Sequence, residues 1–114
     1  MSMLDWNEYH KQVLAGVKSI SQVNPDIVKG YQGLEGASAK TNLLGAKVHE
    51  LIALAVAVTR QCDGCIAVHT EAAIKAGATR EEIIEALSTT IALNAGAALV
   101  YSTRVLDAYS AKTS

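Results

Sequence analysis

The residues from Leu51 to Val58 carry no polar side chain, so a helix formed by them has no side suited to face water. The segment is rich in Ala and Leu, and it is too long for a comfortable strand. A helix that is apolar all round belongs at the centre of a group of other elements. We therefore predict a central helix over about Gly45 to Arg60. This run of eight apolar residues is well below the ~18 that indicate a bilayer crossing, so no membrane span is expected.

The rest of the chain shows helical spacing of apolar residues nearly throughout. Apolar positions recur three and four residues apart, and no convincing stretch alternates between apolar and polar residues as a half-buried strand does. This pattern predicts an all-α bundle of about five to six helices. Besides the central helix, the predicted helices cover about Met3 to Ile20, Pro25 to the region 37–42, the residues after 64 up to a C-cap at Gly77, a stretch that starts at Arg80, and a last piece through 99–109.

Capping signals set several of the predicted boundaries. Asn24 followed by Pro25 indicates an N-cap with proline in the first helical position. Thr79 to Glu82 form a capping box of the type Ser/Thr-x-x-Glu, which predicts a helix start. Asn94 and Gly96 are predicted to kink or end the helix that begins there.

Length and charge narrow the classes of function. A chain of 114 residues predicts a single domain over 1–114, with an N-terminal helix in 1–24 and a core region in 25–114. Ten Lys and Arg against 11 Asp and Glu leave a net charge of −1, so neither nucleic acid nor an anionic membrane is an expected partner. The N-terminal residues lack the basic start and apolar stretch of a secretory signal, so we expect a cytoplasmic location. With no Phe and one Trp, the core must use small and aliphatic side chains, and their abundance in a short chain favours burial at a subunit interface.

Two cysteines and a histidine form the candidate chemical site. Cys62 and Cys65 enclose two residues, and His69 follows four residues later. On a helix these spacings place the three side chains on one face, with the sulfurs close enough for a disulfide if the local geometry permits. Cys62 lies at the predicted helix N-terminus, where unpaired N–H groups favour a thiolate, and Cys65 lies one turn before an imidazole that can take its proton. The residues alone leave open which sulfur is the nucleophile.

Glu50 is the other candidate, because a carboxylate stands at the edge of the apolar central helix. A buried carboxylate without a partner costs several kcal/mol or takes up a proton. If the central helix and the next one form an antiparallel hairpin that turns near Gln61, Glu50 and His69 lie at depths of roughly 16 and 12 Å from the turn, less than one helical turn apart. The hairpin therefore permits a relay in which Glu50 orients His69 and His69 takes the proton of Cys65.

The spacing Glu50, eleven residues, Cys62, two residues, Cys65, three residues, His69 resembles that of the alkylhydroperoxidase AhpD-like group within the carboxymuconolactone decarboxylase superfamily. The flanking sequences resemble the same group over about Glu50 to Leu106. They read Glu-Leu-Ile-Ala-Leu-Ala at 50–55, Cys-Ile-Ala-Val-His-Thr at 65–70 and Ala-Gly-Ala-Thr at 76–79.

The resemblance implies an all-α AhpD-like bundle that assembles as a homo-oligomer, a trimer or hexamer, and reduces hydroperoxides through its thiols. It implies that Cys65 is the peroxidatic cysteine, that Cys62 is the resolving and more exposed one, and that His69 with Glu50 forms the proton relay. The implied electron donor is an external dithiol or a lipoyl-type reductant, and no cofactor or metal is required. One departure is Gly64, since the best-known members carry His just before the second cysteine. The identity of the family's lipoyl-bearing donor protein and its peroxiredoxin partner are therefore not carried over to this chain.

Three other functions are compatible with the sequence. The same cysteines suit a disulfide reductase or redox adaptor without real peroxidase activity. A non-redox oligomeric scaffold is a second alternative, stabilised by zinc bound to both cysteines, His69 and Glu50, which are acceptable ligand types. The lactone decarboxylase branch of the superfamily is a third, although its members do not need the Cys-x-x-Cys pair.

Overall fold

The computed structural model describes residues 2–114, and within this range the secondary structure is entirely helical. The predicted all-α class is therefore confirmed. The chain forms five helices, which are α1 (Trp6–Val23), α2 (Pro25–Thr41), α3 (Ala46–Arg60), α4 (Asp63–Lys75) and α5 (Arg80–Thr113).

The first four helices follow the sequence-based boundaries within a few residues. Helix α1 starts later than predicted, because the Asp5 side chain accepts a hydrogen bond from the N–H of Glu8 and so sets the N-cap there. Asn24 is both the C-cap of α1 and the N-cap of α2, with Pro25 in the first position as predicted, although its side chain makes no capping hydrogen bond. Gly77 follows the end of α4 with φ +89°, a left-handed conformation that glycine adopts without strain.

The predicted kink or end at Asn94 and Gly96 is wrong, because α5 continues through both residues to Thr113. The Asn94 Nδ2 group donates to the carbonyl of Thr90 in the preceding turn and to Oγ1 of Thr59 on α3, both at 2.9 Å. Asn94 therefore links two helices without interrupting one. An interior glycine costs about 1 kcal/mol relative to alanine, which is too little to break a helix of this length.

The start of α5 is secured by polar contacts on both sides. Thr79 accepts a hydrogen bond from the N–H of Glu82 at 3.1 Å, and the Glu82 carboxylate accepts one from the N–H of Thr79 at 2.9 Å, so the predicted capping box is confirmed. The other oxygen of Glu82 binds Lys47 Nζ on α3 at 2.8 Å. The hydrogen bond from Lys47, with a smaller contribution from the Thr79 N–H, lowers the pKa of Glu82 to about 2.

The helices pack around α3 and α4. Helix α3 contacts α4 and α5, while α1 contacts α2 and α4. Within residues 2–114, the buried apolar side chains all lie on α3 and α4: Leu54, Ala57, Ala67 and Ala73. Much of the remaining apolar surface is open, above all on the second half of α5, where Leu99 is 74% and Tyr109 is 68% exposed.

By length and composition, α5 is apolar enough to cross a bilayer, with a mean hydropathy of 1.6 over its most apolar window. Only 6% of that window is buried within the chain. A helix that packs against other subunits of a soluble assembly has the same composition, so this one helix is weak evidence for a membrane span.

Candidate redox site

The turn between α3 and α4 places the cysteine pair directly at a helix start. Gln61 adopts a left-handed conformation with φ +53°, and its N–H donates to the carbonyl of Val58. The N–H of Cys62 donates to the carbonyl of Ala57 at 2.9 Å, which completes the Schellman pattern of a helix end. Because the chain turns within two residues, Cys62 is at once the residue after the C-cap of α3 and the N-cap of α4.

Cys62 and Cys65 form a disulfide, with their Cα atoms 5.2 Å apart. The Sγ atom of Cys62 accepts a hydrogen bond from the N–H of Cys65 at 3.1 Å, so the sulfur caps the first turn of α4. The same N–H group and the helix dipole favour negative charge on this sulfur once the bond is reduced. Both cysteines are half-buried, so neither is marked as the exposed member of the pair by the structure.

Glu50 and His69 meet across the α3–α4 hairpin. The Nδ1 atom of His69 lies 2.7 Å from Oε2 of Glu50. The two side chains are 15% and 24% exposed for His69 and Glu50 respectively, so water competes only in part for this bond. The structure thus brings together two residues that helical rise had placed less than one turn apart in depth.

The contact assigns different tasks to the two ring nitrogens of His69. When the Glu50 carboxylate is ionised it has no proton to give, so Nδ1 carries the hydrogen and donates it. The neutral imidazole then has its lone pair on Nε2, which is the form required of a general base. Cys65 lies one turn earlier on the same helix, four residues before His69. The arrangement therefore places an oriented imidazole one helical turn along α4 from a disulfide sulfur.

Sequence reasoning missed the contacts that α1 makes with this site. The Val13 side chain lies over Gly64, the residue between the two cysteines. His10 on α1 has its Nδ1 atom 3.1 Å from Oε2 of Glu71 on α4. The spacing of three between His10 and Val13 indicated a shared face of α1, but nothing in the sequence indicated that this face packs on α4.

His49 precedes Glu50 directly in the chain. His49 is half-buried and lines an open groove between α2 and α3 together with Ser38, so it is not brought to the cysteines. Over residues 2–114, no three His, Cys, Asp or Glu side chains converge in a way that could hold a metal ion. In the form described here, the two sulfurs are bonded to each other.

Comparisons with known proteins agree with this architecture. The model of the carboxymuconolactone decarboxylase family matches residues 25–108. An uncharacterized protein of Haemophilus influenzae is 49% identical over 106 residues, which cover 93% of this chain and 94% of that protein. An uncharacterized protein of Cupriavidus necator is 34% identical over 93 residues, which cover 82% of each chain.

A solved structure shows the same fold. The crystal structure of an apo carboxymuconolactone decarboxylase family protein from Legionella pneumophila superposes with a TM-score of 0.73 at 33% identity. The match covers 86% of this chain and 88% of that one. The family resemblance inferred from Glu50, Cys62, Cys65 and His69 is therefore confirmed at the level of the family.

Proposed function

Because the chain belongs to the carboxymuconolactone decarboxylase family, we propose that within this family it is a thiol-dependent hydroperoxide reductase that cycles Cys62 and Cys65 between dithiol and disulfide. The observation that carries the proposal is the 2.7 Å contact between Glu50 and His69 beside the cysteine pair. A disulfide alone fits a structural link. A disulfide flanked by a carboxylate-oriented imidazole fits a site that must remove a thiol proton.

The reaction starts from the reduced pair. His69 Nε2 takes the proton of the Cys65 thiol, and the imidazolium is stabilised by Glu50 through Nδ1. The thiolate attacks the terminal oxygen of a hydroperoxide ROOH, the O–O bond breaks, and the leaving alkoxide receives the proton from His69 as ROH. Cys65 is now a sulfenic acid, oxidised by two electrons.

Cys62 resolves the sulfenic acid. Its sulfur attacks Sγ of Cys65, water leaves, and the disulfide seen in this structure forms. The N–H of Cys65, which already points at Cys62 Sγ, supports the thiolate needed for that step. An external dithiol then reduces the disulfide to two thiols and becomes a disulfide itself. The sum is ROOH plus dithiol giving ROH, water and the disulfide of the reductant.

Mass spectrometry of the reduced protein after one equivalent of an alkyl hydroperoxide tests the proposal. We expect the peptide that contains Cys62 and Cys65 to lose two hydrogens, with one ROH formed per chain. A Cys62→Ser variant should stop at the Cys65 sulfenic acid, which a dimedone-type reagent traps, whereas Cys65→Ser should consume no peroxide. Trapping on Cys62 in the Cys65→Ser variant would reverse the roles of the two sulfurs.

The same experiment distinguishes the proposed peroxidase from a disulfide reductase that has no peroxidase activity. In that case the pair would exchange with small disulfides but leave the hydroperoxide unconsumed over the same time. Such a result refutes the peroxidase and favours the redox adaptor. Stoichiometric zinc with masked thiols in the purified protein would refute both redox functions and favour the scaffold.

We also propose that the working form is a homo-oligomer, a trimer or hexamer. The accessible surface of the chain is 8961 Å², whereas a monomeric protein of 12.0 kDa is expected to expose about 6,000 Å². The radius of gyration is 18.5 Å, against about 13 Å for a compact chain of this length. The excess of about 3,000 Å² is several times the ~800 Å² that each partner contributes to a standard interface.

The second half of α5 and the apolar groove of about 620 Å³ between α3 and α5 are the surfaces proposed to meet other copies. Sedimentation analysis should give three or six chains. Leu99→Glu should lower that number, whereas Ser88→Glu, at an exposed position in the first half of the same helix and outside both surfaces, should not. A monomer at micromolar concentration would refute the assembly. Flotation of the wild type with phospholipid vesicles would instead identify α5 as a membrane-binding helix.

A further inference from the structure

The N-terminal helix α1 lies on the helix that carries the cysteine pair. It precedes the region matched by the family, which starts at residue 25. Of the core helices α3, α4 and α5, it packs on α4. Tyr9, His10 and Val13 are half-buried on α1, whereas Leu14 is 55% exposed. One face of α1 is therefore directed at α4.

Val13 covers the first turn of α4, between the two cysteines. A Cβ atom placed on Gly64 would lie 3.5 Å from each of the two methyl carbons of Val13. A methyl group is accommodated at that distance, but a larger side chain at position 64 would have to displace Val13. The space beside Gly64 is thus occupied by a side chain from α1.

A second contact fixes α1 two turns further along α4. His10 Nδ1 lies 3.1 Å from Oε2 of Glu71, and the other oxygen of Glu71 binds Lys75 Nζ at 2.9 Å. The hydrogen bond from Lys75, followed by weaker contributions that include His10, lowers the pKa of Glu71. Val13 and His10 together attach α1 along α4 from Gly64 to Glu71.

We propose that Val13, as part of α1, determines the size class of the reductant, so that a small-molecule dithiol reduces Cys62–Cys65 directly and the dithiol of a folded protein is disfavoured. This inference rests on the proposed function, because it concerns how the oxidised pair is reduced. The thiolate of the reductant must attack one sulfur in line with the S–S bond. The rest of the reductant molecule must therefore fit beside α1. Both sulfurs are half-buried and Val13 lies over the residue between them, so the attacking molecule has to approach past α1.

Reduction of the Cys62–Cys65 disulfide requires neither a peroxide nor the relay of Glu50 and His69. The reductant's first thiolate attacks one sulfur of the pair and forms a mixed disulfide, and the other sulfur of the pair leaves as a thiolate and takes a proton. The second thiol of the reductant then attacks the mixed disulfide. Two electrons pass from the dithiol to the pair, which ends as two thiols, and the reductant ends as a disulfide.

The test measures single-turnover reduction of the oxidised full-length protein by dithiothreitol and, separately, by thioredoxin as a folded protein dithiol. The variants are Val13→Ala and His10→Ala, with Leu14→Ala as the control on the exposed side of the same helix. Removing two methyl groups from a half-buried contact increases the population of displaced α1 about fourfold. Val13→Ala should therefore raise the thioredoxin rate about fourfold and leave the dithiothreitol rate within about twofold.

His10→Ala should also raise the rate of reduction by thioredoxin, and Leu14→Ala should change neither rate. Equal thioredoxin rates in wild type and Val13→Ala would overturn the proposal. An equal rise with both reductants would overturn it as well, because it would indicate a more reactive disulfide and not wider access. Since no peroxide is present, a protein without peroxidase activity still gives these rates, and a disulfide that neither reductant opens would refute the redox function itself.

Discussion

Replacing Glu50 by Gln tests the relay at the contact on which the proposed function depends. The substitution keeps the size of the side chain and removes its charge, so the neutral imidazole can still be held at Nδ1. The imidazolium formed during the reaction loses a charge-assisted bond of 2.7 Å between partly buried groups. Hydrogen bonds to charged groups contribute about 1.5–3 kcal/mol, which corresponds to roughly 10- to 150-fold in rate. We expect the loss of rate in Glu50→Gln to lie near the lower end of this range, because a neutral hydrogen bond remains.

Replacing His69 by Ala removes the base and should make the rate follow the ionisation of the thiol. A cysteine with an ordinary pKa of about 8.5 is about 3% thiolate at pH 7. If the wild-type thiolate is fully formed, His69→Ala should therefore be about 30-fold slower at pH 7. Because the thiolate fraction of such a cysteine reaches about 90% one pH unit above its pKa, most of the rate should return by about pH 9.5.

The assay is stopped-flow consumption of an alkyl hydroperoxide by the reduced protein in a single turnover, from pH 6 to 10. His49→Ala is the matched control, since His49 is the neighbour of Glu50 in the chain and lines a groove away from the cysteines. Its rate should equal that of the wild type at every pH. Unchanged rates in Glu50→Gln and His69→Ala would refute the relay, and slow rates that do not recover at high pH would show that these residues act on something other than thiol ionisation.

Three further predictions concern stability at a fixed protein concentration. Thr79→Ala should lower the free energy of unfolding in urea by about 1 kcal/mol through loss of the helix cap, with Thr79→Ser close to wild type. The wild type should be more stable than Glu82→Gln by the full amount above pH 4.5, and this difference should disappear as the pH falls towards about 2. The reason is that Lys47 lowers the pKa of the Glu82 carboxyl in the folded state. A difference in melting temperature that stays constant over this pH range would contradict a stabilising contact between Lys47 and Glu82. Leu54→Ala removes a side chain that is 4% exposed and should cost about 2–5 kcal/mol, so a loss below 1 kcal/mol would show that the α3–α4 core is not where stability resides.

The part of the site that lies within one hairpin was accessible from the sequence. Helical rise fixes the depth of Glu50 and His69 relative to a turn near Gln61, and two depths within one helical turn allow the side chains to meet. The 2.7 Å contact confirms that estimate. The capping box at Thr79 was equally accessible, because its hydrogen bonds join residues only three apart.

Contacts between distant segments were not accessible in the same way. Asn94 and Gly96 are locally unfavourable in a helix, but the partner that stabilises Asn94 is Thr59, 35 residues earlier. Apolar spacing shows that α1 has a face to bury, yet it does not identify α4 as the surface that receives it. For that reason the contact of Val13 with Gly64 could only be found in the folded chain.

The distribution of burial separates the candidate site from the second half of α5, which is proposed to meet other copies of the chain. The buried apolar residues lie on α3 and α4, the two helices that carry Glu50, the cysteines and His69. The turn between these helices is closed by local backbone hydrogen bonds and by the sulfur cap. Most of α5, in contrast, has no cover within its own chain. A change that weakens the proposed association through α5 should therefore lower stability in a concentration-dependent way, while the contact between Glu50 and His69 persists.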